Sequence, residues 1–147
     1  MAINVFDIND PDGNVIAADW LARAESVHRQ IRPQLPENYP ERMGHVFAAG
    51  GRMSVAANGN SVVGVAVYRI YENTALGIHM YVDDLVTDET RRSKGVGRAL
   101  LEHLSIIAKR RDCKKLTLDS AIHRQQAHKF YFREGFVITS FHFHKQL

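Results

Sequence analysis

The chain is poor in the features on which disulfide-rich, secreted and membrane proteins depend. Among its 147 residues Cys113 is the single cysteine, which excludes an internal disulfide and a cysteine-based metal site. Its apolar runs fall well short of the roughly 20 residues that cross a bilayer. The first residues carry Asp7, Asp10 and Asp12 instead of the basic and apolar stretches of a signal peptide. We therefore expect a cytoplasmic protein without a membrane partner.

Two common phosphate-binding motifs are also missing. A P-loop requires Gly-x-x-x-x-Gly-Lys followed by Ser or Thr, and no Gly-Lys pair occurs in the chain. The dinucleotide fingerprint Gly-x-Gly-x-x-Gly is reduced to Gly95-x-Gly97, and it stands late in the chain rather than after a first strand. Triphosphate chemistry and a Rossmann dinucleotide site are therefore not expected.

The positive charge is small in total but concentrated. The net charge is +3, yet basic residues cluster in 91–98 and 109–115. Such clusters suit an anionic ligand, either a polyphosphate cofactor or a nucleic acid. A nucleic-acid-binding module is the weaker alternative, because the clusters lack interleaved aromatic residues and any helix-turn-helix signature. With 45% hydrophobic residues, the chain is expected to form a single domain over residues 1–147.

The basic run at 91–98, Arg-Arg-Ser-Lys-Gly-Val-Gly-Arg, lies between an apolar extended stretch and an amphipathic helix. Its glycines allow a sharp turn and a close backbone approach, and the first N–H groups of a helix attract negative charge. The run therefore predicts a site for the diphosphate of a cofactor. The candidate binding residues are Arg92, Ser93, Lys94, Gly95, Val96, Gly97 and Arg98.

Apolar periodicity divides the chain into helices and strands. Helices are predicted at 16–31, 41–49, 96–108 and 123–134, and strands at 3–8, 52–57, 61–71, 75–87, 115–119, 136–139 and 140–144. Asn58-Gly59 is predicted to form the tight turn of a hairpin, and Gly135 to end the last helix. The strand, helix, strand series at 75–119 predicts a parallel crossover. The expected fold is α/β, with a mixed, mainly antiparallel sheet flanked by helices on both faces.

Three motifs resemble those of the GNAT superfamily of N-acetyltransferases. Arg92-x-x-Gly95-x-Gly97 resembles the family's loop for the acetyl-CoA pyrophosphate, and the strand at 84–87 precedes it as the family's fourth strand does. The run 127–136 resembles the family's Ala-x-x-x-Tyr-x-x-x-Gly-Phe signature. The resemblance covers about residues 52–144. It implies the GNAT-like fold and transfer of acetyl from acetyl-CoA to a primary amine, with a non-catalytic acyl-CoA-binding domain as an alternative.

The resemblance also implies further cofactor contacts. Backbone groups of Leu85, Val86 and Thr87 would pair with the pantetheine arm, much as an added strand would. One position departs from the family pattern, because Arg124 stands where many members have an asparagine. That departure puts one cofactor hydrogen bond in doubt.

Two residues are candidates for proton transfer. The resemblance assigns Tyr131 as the acid, since a phenol of pKa near 10 is neutral at pH 7 and can protonate a departing thiolate. Asp84 is the candidate base, directly or through a water that it orients. In a regular strand Asp84 would interrupt an apolar face with Val82 and Val86, and burial there would raise its pKa. Pairing with an arginine, or a bulge that turns Asp83 inward instead, stays open.

The acceptor is less defined by the sequence. The run 123–131 is similar to that of small bacterial aminoalkylphosphonate acetyltransferases, which hints at a subgroup. A small-molecule amine is expected, since no further domain for docking a protein substrate is visible. The resemblance also allows a homodimer. No metal is predicted, because neither His142 with His144 nor His123 with His128 has a third ligand at a recognisable spacing.

Overall fold

The computed structural model describes residues 2–92 and 94–147. In these ranges five strands, four α-helices and one 3₁₀ turn are formed. In chain order they are β1 (Asn4–Asp7), α1 (Ala18–His28), α2 (Tyr39–Ala48), β2 (Arg52–Asn58), β3 (Ser61–Asn73), β4 (Gly77–Thr87), the 3₁₀ turn (Glu89–Arg91), α3 (Val96–Arg110), β5 (Leu116–Leu118) and α4 (Gln125–Arg133). The chain divides into two compact units, Met1–Thr117 and Leu118–Leu147. The expectation of a single domain over 1–147 stays a prediction.

The strands form one sheet in the order β1-β2-β3-β4-β5. The first four pair antiparallel with their sequence neighbours. At the start of β5 the N–H of Met80 donates to the carbonyl of Lys115 at 3.0 Å. This confirms the predicted α/β class with a mixed, mainly antiparallel sheet.

The β2–β3 hairpin forms as predicted, but its turn is shifted by one residue. Asn58 pairs with Ser61 in the ladder, so Gly59 and Asn60 are the two loop residues. Gly59 has φ of +60°. A glycine in the first loop position is the requirement of a type II′ turn, whose twist matches that of the strands. The prediction that Asn58-Gly59 forms the turn was therefore wrong by one position.

Helices cover both faces of the sheet in the first unit. A side chain at Gly64 would meet Val96 and Leu100 of α3 at 2.6 and 2.9 Å, so this residue faces α3. The next residue, Val65, belongs to the core formed with α1 and α2. Since neighbouring strand residues point to opposite faces, α3 lies on one face of the sheet and α1 and α2 on the other.

A bulge in β4 changes which side chains share a face. Val82 lies opposite Tyr68 and Asp84 lies opposite Val67, so Asp83 is an extra residue without a ladder partner. An inserted residue reverses the alternation of side chains beyond it. The expectation that Val82 and Asp84 share one face was therefore wrong, while the bulge considered from the sequence is present.

The second unit is described by α4 and the residues that flank it. At the end of α4 the N–H of Phe136 donates to the Tyr131 carbonyl and that of Gly135 to the Phe132 carbonyl. Gly135 has φ of +90°, so the predicted left-handed cap is confirmed as a Schellman motif. None of the described helices is long and apolar enough to cross a membrane.

The two strands predicted at 136–139 and 140–144 are not formed. Residues 136–147 carry neither helix nor strand, and Phe141 and Phe143 are 80% and 89% exposed. Alternating apolar residues indicate a strand only if a neighbouring strand accepts their hydrogen bonds, and the pattern does not supply that neighbour.

Candidate functional site

The basic turn ends in the N-terminus of α3. Gly95 precedes the helix with φ of +84°, and a side chain added there would meet no atom within 4 Å. The first turn of α3 contains no acidic residue and has no side-chain cap. Its first N–H groups lack partners within the helix and carry partial positive charge. The chain therefore presents an open helix start suited to an anion.

The residues predicted to bind the diphosphate, 92–98, are called the cradle below, and they contribute to this helix start in different ways. Val96 is buried, so its contribution is limited to its backbone, and Gly97 is the second residue of α3. The side chains of Arg92, Lys94 and Arg98 are exposed. Ser93 lies outside the described residues. The positive charge and the open backbone thus occur at one end of one helix.

Hydrogen bonds between the residue segments that follow α1 and β4 hold the start of this turn. The Gln30 side chain donates to Asp88 Oδ1 at 3.2 Å and accepts from the Glu89 N–H at 2.9 Å. Asp88 also accepts from the Thr90 N–H at 3.2 Å. Neither Gln30 nor Asp88 was singled out from the sequence, because the two are 58 residues apart and carry no motif.

Leu85–Thr87, the residues that the resemblance assigns to the pantetheine arm, form the end of β4. Leu85, Val86 and Thr87 pair with β3 along one edge, opposite Ala66, Val65 and Gly64. The backbone contact at the start of β5 is made at Met80. Leu85 lies five residues further along, which is about 16 Å of strand. These three residues extend β4 beyond that contact toward the basic turn.

Asp84 lies in a buried polar network between β4 and α1. Its Oδ2 is 2.7 Å from His28 Nε2, and its Oδ1 is 2.9 Å from Arg32 Nε and 2.6 Å from Arg32 Nη2. His28 is also joined through Nδ1 to the Tyr39 hydroxyl at 2.8 Å. The side chains of His28 and Asp84 are 2% and 12% exposed. The arginine pairing considered from the sequence is therefore present.

The pKa of Asp84 is lowered, contrary to the sequence-based expectation. Burial raises it, but the hydrogen bond from His28 and the charge of Arg32 outweigh that effect. Periodicity indicated the burial and could not indicate the partners. Asp84 is thus an ionised carboxylate at neutral pH.

His28 and Tyr39 are residues that sequence reasoning missed. His28 occupies the last turn of α1 and Tyr39 the first turn of α2, where they read as ordinary helix positions. Both are buried, and burial raises the pKa of Tyr39 above its usual range. One signal was available, since a histidine on the apolar face of a helix requires a polar partner.

Asp83, the alternative base, is held differently. It forms two hydrogen bonds of 3.0 Å with Arg69, whose side chain is 44% exposed. Arg69 also stacks near the rings of Tyr71 and Tyr81. The pair lies at the surface, and the bulge directs the neighbouring Asp84 into the interior.

Tyr131 belongs to the second unit and lies in α4. It is 9% exposed, with the rings of Phe130 and Phe136 at 5.5 and 5.6 Å. Burial raises the pKa of Tyr131, and the positive charge of Arg124 offsets part of that rise. Its phenol is therefore protonated at neutral pH.

No three His, Cys, Asp or Glu side chains are grouped to hold a metal within residues 2–92 and 94–147. His142 pairs with Asp119 at 3.2 Å, and His128 Nε2 lies 2.9 Å from the Ala121 carbonyl. Two of the histidines considered as metal ligands, His142 and His128, thus have contacts with protein groups.

Solved structures share the fold of this chain. An aminoglycoside N-acetyltransferase, AAC(6′)-Iy, in complex with CoA superposes with a TM-score of 0.82 at 15% identity, covering 99% of this chain and 95% of that one. A Trypanosoma brucei acetyltransferase superposes with a TM-score of 0.76 at 20% identity, covering 99% and 100%. At these identities the likeness establishes the fold alone.

Sequence comparison extends this likeness to the family. The uncharacterized N-acetyltransferase YhdJ of Bacillus subtilis strain 168 is 35% identical over 94 residues. That match covers 54% of this chain and 66% of YhdJ, just under two thirds of its length. Residues 17–136 match the acetyltransferase (GNAT) family. The matched range includes the basic turn, β4 and α4. The chain therefore belongs to the GNAT family of acetyltransferases.

Proposed function

We propose that the protein transfers an acetyl group from acetyl-CoA to the primary amine of a small molecule. The observation that carries this proposal is the start of α3, where an open positive-φ glycine and N–H groups without a side-chain cap follow the 3₁₀ turn that comes after β4. A diphosphate would bind at the helix start, and the amides of the pantetheine arm would extend along Leu85–Thr87. Donor binding would then rest mainly on backbone groups.

Asp84 is proposed to act as the base, directly or through a water that it orients. A base must be ionised before it can accept a proton, and the lowered pKa of Asp84 satisfies this condition. The same low pKa makes Asp84 a weak proton acceptor. Orientation of the amine, or of the water that takes its proton, is therefore the larger part of its proposed role.

Tyr131 is proposed as the acid. Its buried phenol holds its proton at neutral pH, and Arg124 favours the negative charge that appears when the proton leaves. Arg124 would thus aid the acid from the position where many family members have an asparagine. This role differs from the cofactor hydrogen bond that the family pattern suggests.

The proposed reaction is a direct attack. The nitrogen lone pair forms a bond to the acetyl carbonyl carbon, and the carbon–sulfur bond breaks with its electron pair on sulfur. The nitrogen gives one proton to Asp84 or its water, and the thiolate takes one from Tyr131. The products are an N-acetylated amine and CoA with its thiol restored.

The acceptor is proposed by class. The AAC(6′)-Iy structures include one with a bisubstrate analogue of CoA and an acetylneamine, so a family fold of this shape accepts a small amine. For this chain a small-molecule amine is the proposal, and an aminoalkylphosphonate remains the subgroup prediction. A panel of amino sugars, aminoalkylphosphonates and simple alkylamines would decide among these.

Calorimetric titration with acetyl-CoA tests the donor site. We expect micromolar binding by the wild type and its loss in Gly95→Asp, because the new carboxylate repels the diphosphate at the helix start. Gly50→Asp is the matched control, since Gly50 also has positive φ, at +101°, with no atom near an added side chain. The control carries similar backbone strain and the same charge away from α3.

The outcomes of this titration separate the candidate functions. Binding followed by CoA release with an amine supports the transferase, and binding without release by any amine supports an acyl-CoA-binding domain. Equal loss of binding in both glycine variants would mean that strain, rather than the cradle, explains the effect. Absence of wild-type binding would refute the proposal.

A further inference from the structure

We infer that His28 and Tyr39 are positioning residues that hold the Asp84 carboxylate with one acceptor position of Oδ2 turned toward the incoming amine or its water. This inference rests on the proposed function. Its evidence is the chain of contacts from the Tyr39 hydroxyl to His28 and from His28 to Asp84, at 2.8 and 2.7 Å.

The direction of each hydrogen bond follows from the chemistry of the groups. An ionised carboxylate has no hydrogen to donate, so the hydrogen between the two groups must lie on His28 Nε2. In the neutral ring Nδ1 is then an acceptor, and the Tyr39 hydroxyl donates to it. Tyr39 is fully buried, so water does not compete for this bond. The hydroxyl thereby selects the tautomer that points a hydrogen at Asp84.

A count of acceptor positions shows what remains for a substrate. A carboxylate offers about four lone-pair positions, two on each oxygen. Arg32 Nε donates to Oδ1, and Arg32 Nη2, which donates to the Asp83 carbonyl, lies against the same oxygen at 2.6 Å. His28 contacts Oδ2 once. Within the described residues these contacts leave one position on Oδ2. The 12% exposure of the Asp84 side chain allows a small group to reach it.

The three partners also hold the carboxylate against rotation. His28 ends α1, Arg32 follows it by one helical turn, and Tyr39 begins α2. Two segments of the chain therefore fix one side chain of the sheet. Since a displacement of about 1 Å at a reacting group can lower turnover by up to about 100-fold, such a framework has kinetic consequences.

The test compares removal of two buried hydroxyls. Tyr39→Phe deletes the donor to His28, whereas Tyr68→Phe deletes a hydroxyl that is also buried but lies on the face of the sheet covered by α3. We expect Tyr39→Phe to lower kcat about tenfold with the KM for acetyl-CoA unchanged. Tyr68→Phe should change kcat less than about twofold.

Coupling to Asp84 distinguishes positioning from a loss of stability. If Tyr39 acts through Asp84, Tyr39→Phe should lower kcat by less than about twofold further once Asp84→Asn is present. The decrease in thermal stability caused by Tyr39→Phe should remain when Asp84→Asn is also present. If Tyr39→Phe lowered kcat tenfold in the Asp84→Asn variant as well, the two effects would be independent and the inference would be overturned.

A spectroscopic readout is independent of turnover. Long-range proton–nitrogen spectra report which ring nitrogen of His28 carries hydrogen, with the signal assigned by its loss in His28→Gln. The wild type should show the Nε2–H tautomer, and Tyr39→Phe should show a mixture of both. A wild-type Nδ1–H tautomer would overturn the inference.

These results also separate the inference from the proposed function. A wild type that transfers acetyl and is impaired by Asp84→Asn, with Tyr39→Phe equal to Tyr68→Phe, would overturn the inference alone. A wild type that binds acetyl-CoA and acetylates no amine would overturn the proposed function and this inference with it.

Discussion

Two histidine–carboxylate pairs lie on opposite faces of the sheet and differ in how they are connected. On the face of α1, the Tyr39 hydroxyl contacts His28 and His28 contacts Asp84, so the groups act in series. On the face of α3, Ser54 Oγ donates to Asp7 at 2.8 Å and His103 Nε2 lies 2.8 Å from the same oxygen. Both of these contacts converge on Asp7.

The difference decides what each pair can do. In the series arrangement the hydroxyl controls the tautomer of the histidine, and one acceptor position of Asp84 stays available. In the convergent arrangement the hydroxyl and the ring both stabilise the carboxylate, and His103 joins α3 to β1. A histidine beside an aspartate is therefore not in itself an indication of catalysis; the order of the bonds carries the information.

The largest difference is expected in turnover. Asp84→Asn should lower kcat at least about 100-fold, in the range found when an acid–base group is removed. Asp7→Asn should leave kcat within about twofold, since Asp7 serves the fold. Steady-state assays of both variants with the acceptor found in the amine screen measure this. Comparable losses in the two would contradict the distinction.

The two histidines should also contribute differently to the free energy of unfolding. His28→Ala leaves a cavity, a buried tyrosine hydroxyl without its partner and a less compensated Asp84, so we expect about 3 kcal/mol of destabilisation. His103 is 26% exposed, so water can replace part of its bond to Asp7. His103→Ala should cost about 1 kcal/mol. Urea unfolding at pH 7 measures both variants. Equal losses of unfolding free energy would contradict the expectation that the more buried histidine contributes more.

Both carboxylates should contribute to acid sensitivity. Burial raises the pKa of Asp7, but His103 and Ser54 outweigh it, and the net shift is downward as for Asp84. A carboxyl with a lowered folded pKa stabilises the protein above its unfolded pKa of about 3.9 and loses that contribution as the pH falls through the folded value. Stability should therefore fall as the pH is lowered below about 4.

The matching asparagine variants locate this acid sensitivity. Asp84→Asn and Asp7→Asn should each be less stable at neutral pH and show a shallower loss of stability on acidification. Urea midpoints measured between about pH 3 and pH 7 test this. An acid dependence as steep as that of the wild type in both variants would assign the effect to other groups.

The smallest effect is expected at the exposed pair next to Asp84. Asp83→Asn weakens the pair with Arg69, which is partly solvated, so we expect a loss of at most about 1 kcal/mol. Turnover should change less than about twofold, since Asp84 is proposed as the base. If Asp83→Asn lowered turnover more than Asp84→Asn does, Asp83 rather than Asp84 would be assigned as the base.

Elements defined by local chemistry were predicted well. The 15 residues of α3 follow from an apolar stripe that recurs at helical spacing, and the cap at Gly135 from a glycine just past such a stripe. The hairpin was placed within one residue because a turn glycine separates two β-rich runs. In each case the determining residues are close together in the chain.

Features that depend on distant partners were not predicted. The Asp84–His28 contact joins residues 56 apart, and the pKa of Asp84 follows from that contact rather than from its apolar neighbours. The strands predicted at 136–139 and 140–144 from apolar alternation lack a hydrogen-bonded neighbour and are not formed. Apolar periodicity describes one segment of the chain at a time, whereas a paired strand or a buried ion pair depends on two segments.

The sequence by itself determined the family, the α/β class and the position of the glycine-containing basic turn before α3, because glycines, basic residues and apolar spacing act locally. The tertiary structure alone decided which aspartate turns inward, which histidine and arginine hold it, and in which direction its pKa moves. These depend on a one-residue bulge in β4 and on the packing of α1 against that strand. The energy of a buried carboxylate is set by the groups that surround it in space.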